Sequence, residues 1–271
     1  MKRSTLFWIL AVVITLASAY YQRVTGPTYP ISGKMELGGA HLSYKFERSH
    51  STESNAAVEV ATHDPAVNGQ LVWKRYKTQE IPRAEPMAFD AERGVLRSEL
   101  PRQLAAGKLE YCVVLSKGEE RRSAPENEPV VIRFKGDVPL GVLIPHVILM
   151  FAAMLLSTRT ALESFGKEPH LQRLTLWTFL LMAVGGMILG PIVQKYAFDA
   201  FWTGIPFGTD LTDNKTLIAF LAWGVALLLV RKNRFARHAA LVAALVTLIV
   251  FLIPHSMFGS ELDYSKQVVQ P

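Results

Sequence analysis

The chain has 271 residues, half of them hydrophobic, and a formal charge of +6. That length leaves room for about two domains, and the basic residues flank apolar runs, where they set membrane topology, so nucleic acid is not expected as a partner. The single Cys112 excludes an internal disulfide framework and any CxxC motif. Walker, HExxH, GxSxG and dinucleotide-binding motifs are also absent, which argues against an ordinary hydrolase or nucleotide enzyme.

Residues 1–24 begin with Lys2 and Arg3 and continue through the apolar run TLFWILAVVITLASAYY. The run is long enough for a signal-anchor helix, whereas Ala17-Ser18-Ala19 also suits a cleaved signal peptide, and the anchor is the preferred reading. On either reading the segment that follows is exported.

Residues 27–136 are patterned as a β module. Strands are expected near 41–47, 56–62, 70–77, 94–99, 108–116 and 129–134, separated by turn signals such as Asn68-Gly69 and Lys117-Gly118. In the strand near 108, Leu109, Tyr111, Val113 and Leu115 fall on one face. The run LPRQLAAGKLEYCVV resembles the corner of fibronectin type III and immunoglobulin-like β-sandwiches. That resemblance implies a tyrosine hydroxyl bonded back to the preceding turn, and a spacer or binding role.

Four further apolar spans are expected at Val138–Ser157, Leu174–Val193, Thr216–Val230 and Ala239–Phe258, a four-helix transmembrane domain over 138–258. Arg159, Lys167 and Arg173 occupy one connection, and Arg231, Lys232, Arg234 and Arg237 another, so both are assigned to the cytoplasm. The N-terminus is then cytoplasmic. The β module, the 196–215 loop and the tail 259–271 face the exterior of a bacterial-type inner membrane. The short link at 136–138 is expected to hold the module over the helix ends.

The chemistry-bearing residues gather at that outer side. Leu-Ile-Pro-His occurs twice, placing His146 and His255 toward the outer ends of their helices; neutral imidazoles there are able to ligate haem iron or a metal ion. Their ordinary role is to bond a freed carbonyl or to sit among headgroups. Met150, Met154 and Met257 lie nearby and suit copper, though such methionines more often fill space. The loop YAFDAFWTGIPFGTDLTDNK carries Phe198, Phe201, Trp202 and Phe207, with Asp199 and Asp210 as polar candidates for a ligand or partner site. Its aromatics equally suit an interfacial belt, and Asp213 or Thr212 is expected to cap a helix near Thr216.

Ala200-Phe201-Trp202-Thr203-Gly204, then Asp210 and Thr216–Trp223, with His146 before and His255 after, resembles over about 30 residues the tryptophan-rich external loop of haem-handling cytochrome c assembly proteins. That family implies haem b held by His146 and His255 beneath Trp202; its WxWD core and additional tryptophans are missing here. The leading functional expectation is a non-enzymatic binding or accessory subunit, seated in the lipid bilayer, that acts on an envelope or membrane protein partner through its exported sandwich and the 196–215 outer loop. Haem or metal handling is the alternative. A small transporter is the weaker one, because the helices lack charged interior residues.

Overall fold

A computed structural model describes residues 3–167, 169–254, 257, 259, 261–266 and 268–270. The chain divides into two compact units, one of Thr28–Asp137 with Glu261–Gln270 and one containing the helices.

The β unit has two larger sheets. One runs β1 (Ile31–Leu37), β2 (Ala40–Phe46), β4 (Ala56–Ala61), β8 (Val95–Leu100) and β7 (Ala88–Asp90). The other runs β3 (Ser49–Ser51), β11 (Val130–Lys135), β9 (Lys108–Lys117), β5 (Asn68–Arg75) and β6 (Arg83–Pro86), with β10 (Glu120–Ala124) also paired to β9. The β3–β11 pair is parallel, whereas the other pairs are antiparallel. Alternation explains the burial: Leu109, Tyr111, Val113 and Leu115 of β9 point inward, while Glu110 and Cys112 are only partly covered. They join Leu71, Ile132 and Phe134 of the same sheet, and Leu42, Phe46, Val60 and Leu96 of the other, in one apolar core. Each such buried side chain contributes about 1.5–3 kcal/mol before entropy is counted.

The hydroxyl of Tyr111 donates to Glu47 O at 3.0 Å. It thus ties β9 to the link between β2 and β3, rather than to the preceding turn, as the family resemblance implies. The tail is not a separate segment. Glu261–Asp263 (β12) pairs with Val268–Gln270 (β13), and Leu262 N donates to Ala106 O at 3.2 Å. The Tyr264 hydroxyl accepts from Lys108 N at 2.9 Å and donates to Lys108 O at 2.7 Å, and burial pushes it up to about 12. Glu261 bridges Lys108 at 2.7 Å and Lys77 at 2.8 Å. Burial raises the Glu261 carboxyl, but the two lysines outweigh it and hold the group below the usual carboxylate range. Lys108 sits below its ordinary value because burial outweighs Glu261, and the more exposed Lys77 is held above its own. The gain from the bridge therefore lies with Glu261 and Lys77, while Lys108 is charged at a desolvation cost.

The helical unit comprises α1 (Arg3–Thr25), α2 (Leu140–Glu163), α3 (Leu171–Leu181), a π-helical segment Met182–Leu189, α4 (Gly190–Phe198), α5 (Leu211–Arg231) and α6 (Ala236–Leu252). Among the described residues, four helices are long and apolar enough to cross a membrane: α1, α2, the continuous Leu171–Phe198 and α5. The apolar α6 is shorter. Its end differs from the expected Phe258 because Ile253 is extended ahead of Pro254, a residue pair that disfavours helix. The helix α5 starts five residues before the expected Thr216, because its polar first turn, LTDNK, is already helical.

Small residues let these helices approach one another. Ala219, Trp223 and Ala226 of α5 pack with Ala243 and Ala244 of α6, Ala153 of α2 and Met182. Trp223 Nε1 donates to Thr247 Oγ1 at 2.8 Å, which satisfies both groups away from solvent. A Cβ on Gly185 would lie 2.9 Å from Leu149 Cβ, and one on Gly186 would lie 2.8 Å from Thr216 Cγ2. The close approaches are thus made by adjacent glycines in the π segment, whereas Gly190 has only ordinary contacts.

Candidate functional site: the loop between α4 and α5

Between Phe198 and Leu211 the chain forms a loop whose shape is set from below by the first turn of α5. Asp210 is the N-cap, its Oδ1 accepting from Thr212 N at 2.7 Å and Asp213 N at 3.4 Å. Asp213, one turn on, faces back into the loop. Its Oδ2 accepts from Thr203 N at 2.6 Å, Gly204 N at 3.0 Å and Thr203 Oγ1 at 3.2 Å. Asn214 Oδ1 takes the next amide, Ile205 N, at 2.7 Å. Three consecutive backbone N–H groups therefore end on two side chains of one helical turn. Gln194 Nε2 reaches over from α4 to Thr203 Oγ1 at 2.6 Å, so the threonine hydroxyl accepts from glutamine and donates to aspartate.

Gly204 is required by this approach. A Cβ there would lie 2.6 Å from Asp213 Cβ and 2.7 Å from Asn214 Oδ1. Thr203, Gly204, Asp210 and Asp213 are buried, and the apolar tip is turned outward, with Phe201 58%, Ile205 60% and Phe207 78% exposed. Trp202 is half-buried, and its Nε1 donates to Ile205 O at 3.0 Å, closing the tip on itself. Asp199 sits at the end of α4 in the left-handed region, with φ 61°, and pairs with Lys195 at 2.7 Å on the surface.

Below the loop, the last carbonyls of α6 are taken by other helices. Lys215 Nζ, on α5 and buried, donates to Ile253 O at 2.7 Å. Gln22 Nε2, on α1, donates to Phe251 O at 2.6 Å and to Ile253 O at 3.3 Å. A cation at a helix C-terminus opposes the negative end of its dipole, and a buried ammonium requires such a partner.

His146, two turns into α2, has Nδ1 2.9 Å from Gly185 O. A carbonyl only accepts, so Nδ1 carries the proton and Nε2 of the neutral ring keeps its lone pair. The π-helical segment makes room for this bond, since Gly185 O also accepts from Gly190 N, five residues on. His146 therefore fulfils the ordinary role of bonding a main-chain carbonyl while remaining a competent one-nitrogen ligand. His255 lies outside the described residues, so a pairing of the two histidines has no geometry to report. Met154 is buried, Met150 packs against the core formed by α2, α5, α6 and Met182, and Met257 is exposed. Among the described residues no three His, Cys, Asp or Glu side chains converge. Two cavities, of about 340 and 470 Å³, are lined neither by His146 nor by this loop.

Sequence reasoning marked Phe201, Trp202, Phe207, Asp199 and Asp210, and all lie in or beside the loop. It missed that Asp213, Asn214, Gln194 and Thr203 build it. The signal for Asp213 was Asp210-x-x-Asp213, a capping-box spacing ahead of the apolar run; Asn214, Gln194 and Thr203 carried none. No protein-family model matches the chain, and no curated protein is significantly similar to it.

Proposed function

We propose that the chain is an integral membrane protein of the cell envelope, a non-enzymatic accessory subunit that binds a protein partner through the 199–210 loop and an immunoglobulin-like β domain. The observation that carries this reading is the combination of a fixed base and an exposed apolar tip. Asp213 and Asn214 hold three successive loop amides, so Phe201, Ile205 and Phe207 are presented without the ordering cost that a flexible loop would incur on binding. Aromatic anchors on a rigid support are the usual centre of a protein interface.

The immunoglobulin-like reading is supported by strand order. The series β7–β8–β4–β2 corresponds to D–E–B–A and β5–β9–β11 to C–F–G, with β6 beside the C strand. The membrane arrangement is supported by connectivity. The chain leaves the β unit into α2 and returns to it after α6, so the intervening helices cross an even number of times. With the basic connections at 159–173 and 231–237 inside, the β domain, the loop and the tail face the exterior of the inner membrane.

The experiment is gentle extraction and co-purification of the full chain. Phe201→Ser with Phe207→Ser removes two exposed side chains, leaves the Asp213 network in place, and is expected to lose a partner retained by the wild type. A wild-type chain that emerges alone, or a variant that keeps its partner, contradicts the proposal.

One observation favours a second reading, a haem b site: His146 has its Nδ1 proton engaged by Gly185 O, the arrangement that orients an imidazole for ligation through Nε2. Haem would supply redox chemistry or be cargo; His146 of α2 would help to hold it through an imidazole nitrogen. A colourless preparation from haem-replete cells contradicts this reading.

A further inference from the structure

We propose that the opposite end of the helical unit holds an anionic phospholipid, with an acyl chain in a groove between α1, α2 and α6 and the headgroup phosphate between Arg3 and Arg237. The proposal rests on the membrane reading above. The groove, about 340 Å³, is lined by Ile14 of α1, Thr158 and Leu162 of α2, and Leu241, Leu245 and Leu248 of α6. Its side-chain hydroxyl, Thr158 Oγ1, donates back to Met154 O at 3.1 Å, so the wall offers mostly carbon and no free side-chain donor. Between spans of this hydropathy the medium is hydrocarbon, and an acyl chain is the matching occupant.

Charge selects the headgroup. Arg3, Phe7, Leu10 and Ile14 follow one face of α1, and Arg237, Leu241, Leu245 and Leu248 one face of α6, so both faces run from the groove to an arginine. The two arginines converge on the same connection: Arg3 Nη2 donates to Phe165 O at 2.5 Å and Arg237 Nη2 to Lys167 O at 3.1 Å. Both acceptors are neutral carbonyls. Among the described residues neither arginine forms an ion pair, whereas nearby Arg159 is neutralised by Glu163 at 2.6 Å. Each exposed guanidinium has five N–H donors and keeps most of them for a phosphate. The first turn of α6 has no side-chain cap, which adds the positive end of a helix dipole beside Arg237. Basic pockets between transmembrane helices on the cytoplasmic side are a recurrent site for anionic lipids.

The test uses the purified full chain in a neutral detergent, with thermal unfolding and native mass spectrometry after addition of phosphatidylglycerol, phosphatidylcholine of the same acyl chains, or glycerol 3-phosphate. Phosphatidylglycerol is expected to be retained and to raise Tm above the other two. Arg3→Gln and Arg237→Gln are each expected to lower the preference for phosphatidylglycerol roughly fivefold, the worth of one basic residue near an anionic surface. Leu245→Trp, which fills the groove from its exposed side, is expected to lower retention of both lipids. Equal stabilisation of the wild type by phosphatidylcholine and phosphatidylglycerol overturns the proposal without requiring any variant. Glycerol 3-phosphate acting as well as the lipid overturns it too, as does undiminished preference in the double arginine variant. A chain released from membranes by carbonate refutes the membrane reading itself; one that stays and shows no lipid preference refutes only this site.

Discussion

Asp213→Ala is the substitution that bears most directly on the loop. It removes a buried carboxylate, and with its Oδ2 three hydrogen bonds, from Thr203 N, Gly204 N and Thr203 Oγ1. Hydrogen bonds to a charged acceptor contribute about 1.5–3 kcal/mol each, and a buried amide left without a partner costs about 1–3 kcal/mol. Opening lets water reach the freed amides, so the net loss is taken as about 3 kcal/mol, which raises the opening equilibrium roughly a hundredfold. Hydrogen–deuterium exchange of the full chain in detergent reads this out on 199–210, with β9 as an internal reference. Asp199→Ala is the control: its pair with Lys195 is largely exposed and is worth at most about 1 kcal/mol. Equal exchange at 199–210 in Asp213→Ala and wild type would refute the assignment of Asp213 as the anchor.

Other perturbations test separate parts of the fold. Gly204→Ala places a Cβ against Asp213 and Asn214 and is expected to disorder the loop as strongly as Asp213→Ala, which protease sensitivity near 205 would report. Tyr111→Phe leaves Glu47 O without its donor and is expected to cost the β unit about 1–2 kcal/mol; an unchanged unfolding midpoint counts against that role. The tail is expected to be pH-sensitive. Because the Glu261 carboxyl is held below the unfolded value of about 4.3, its contribution is present above that pH and is lost as pH falls through the folded value. The opening equilibrium of 261–266, taken from exchange corrected for the intrinsic pH dependence of amide exchange, should therefore rise on acidification from pH 5 toward pH 3 in the wild type, and be high and nearly flat over that range in Glu261→Gln. Trp223→Phe leaves Thr247 Oγ1 without its donor at the α5–α6 contact and is expected to lower thermal stability by about 1–2 kcal/mol.

Much of the architecture was legible because its signals are local. The alternation of Leu109, Tyr111, Val113 and Leu115 marks β9 without reference to the rest of the chain, and the apolar spans announce α2 and α5. The edges were not legible. β1 alternates Ile31, Gly33, Met35 and Leu37 with polar residues, but its glycine interrupts the apolar face and only Leu37 is fully buried, while β10, ERRSA, turns just Ala124 inward. The tail segment SELDYSK is polar and carries no apolar pattern that joins it to the β unit. Its place depends on Lys77, Lys108 and Ala106, more than 150 residues away in sequence. In the loop, the aromatic residues drew attention, while the residues that build it are an aspartate, an asparagine, a threonine and a glutamine, whose pairing across two helices exists only after folding. The histidine repeat divided: His146 has a partner in a π-helical carbonyl that no sequence pattern specified, and its counterpart His255 falls beyond the described end of α6.

The central claim, that the fixed apolar tip of the loop meets a protein, is tested most directly by a photo-crosslinking amino acid at position 207 in native membranes, with position 199 as the flanking control. The account predicts a discrete protein adduct from 207 that disappears when Asp213→Ala loosens the loop. Lipid adducts alone from 207, with or without Asp213, would contradict it.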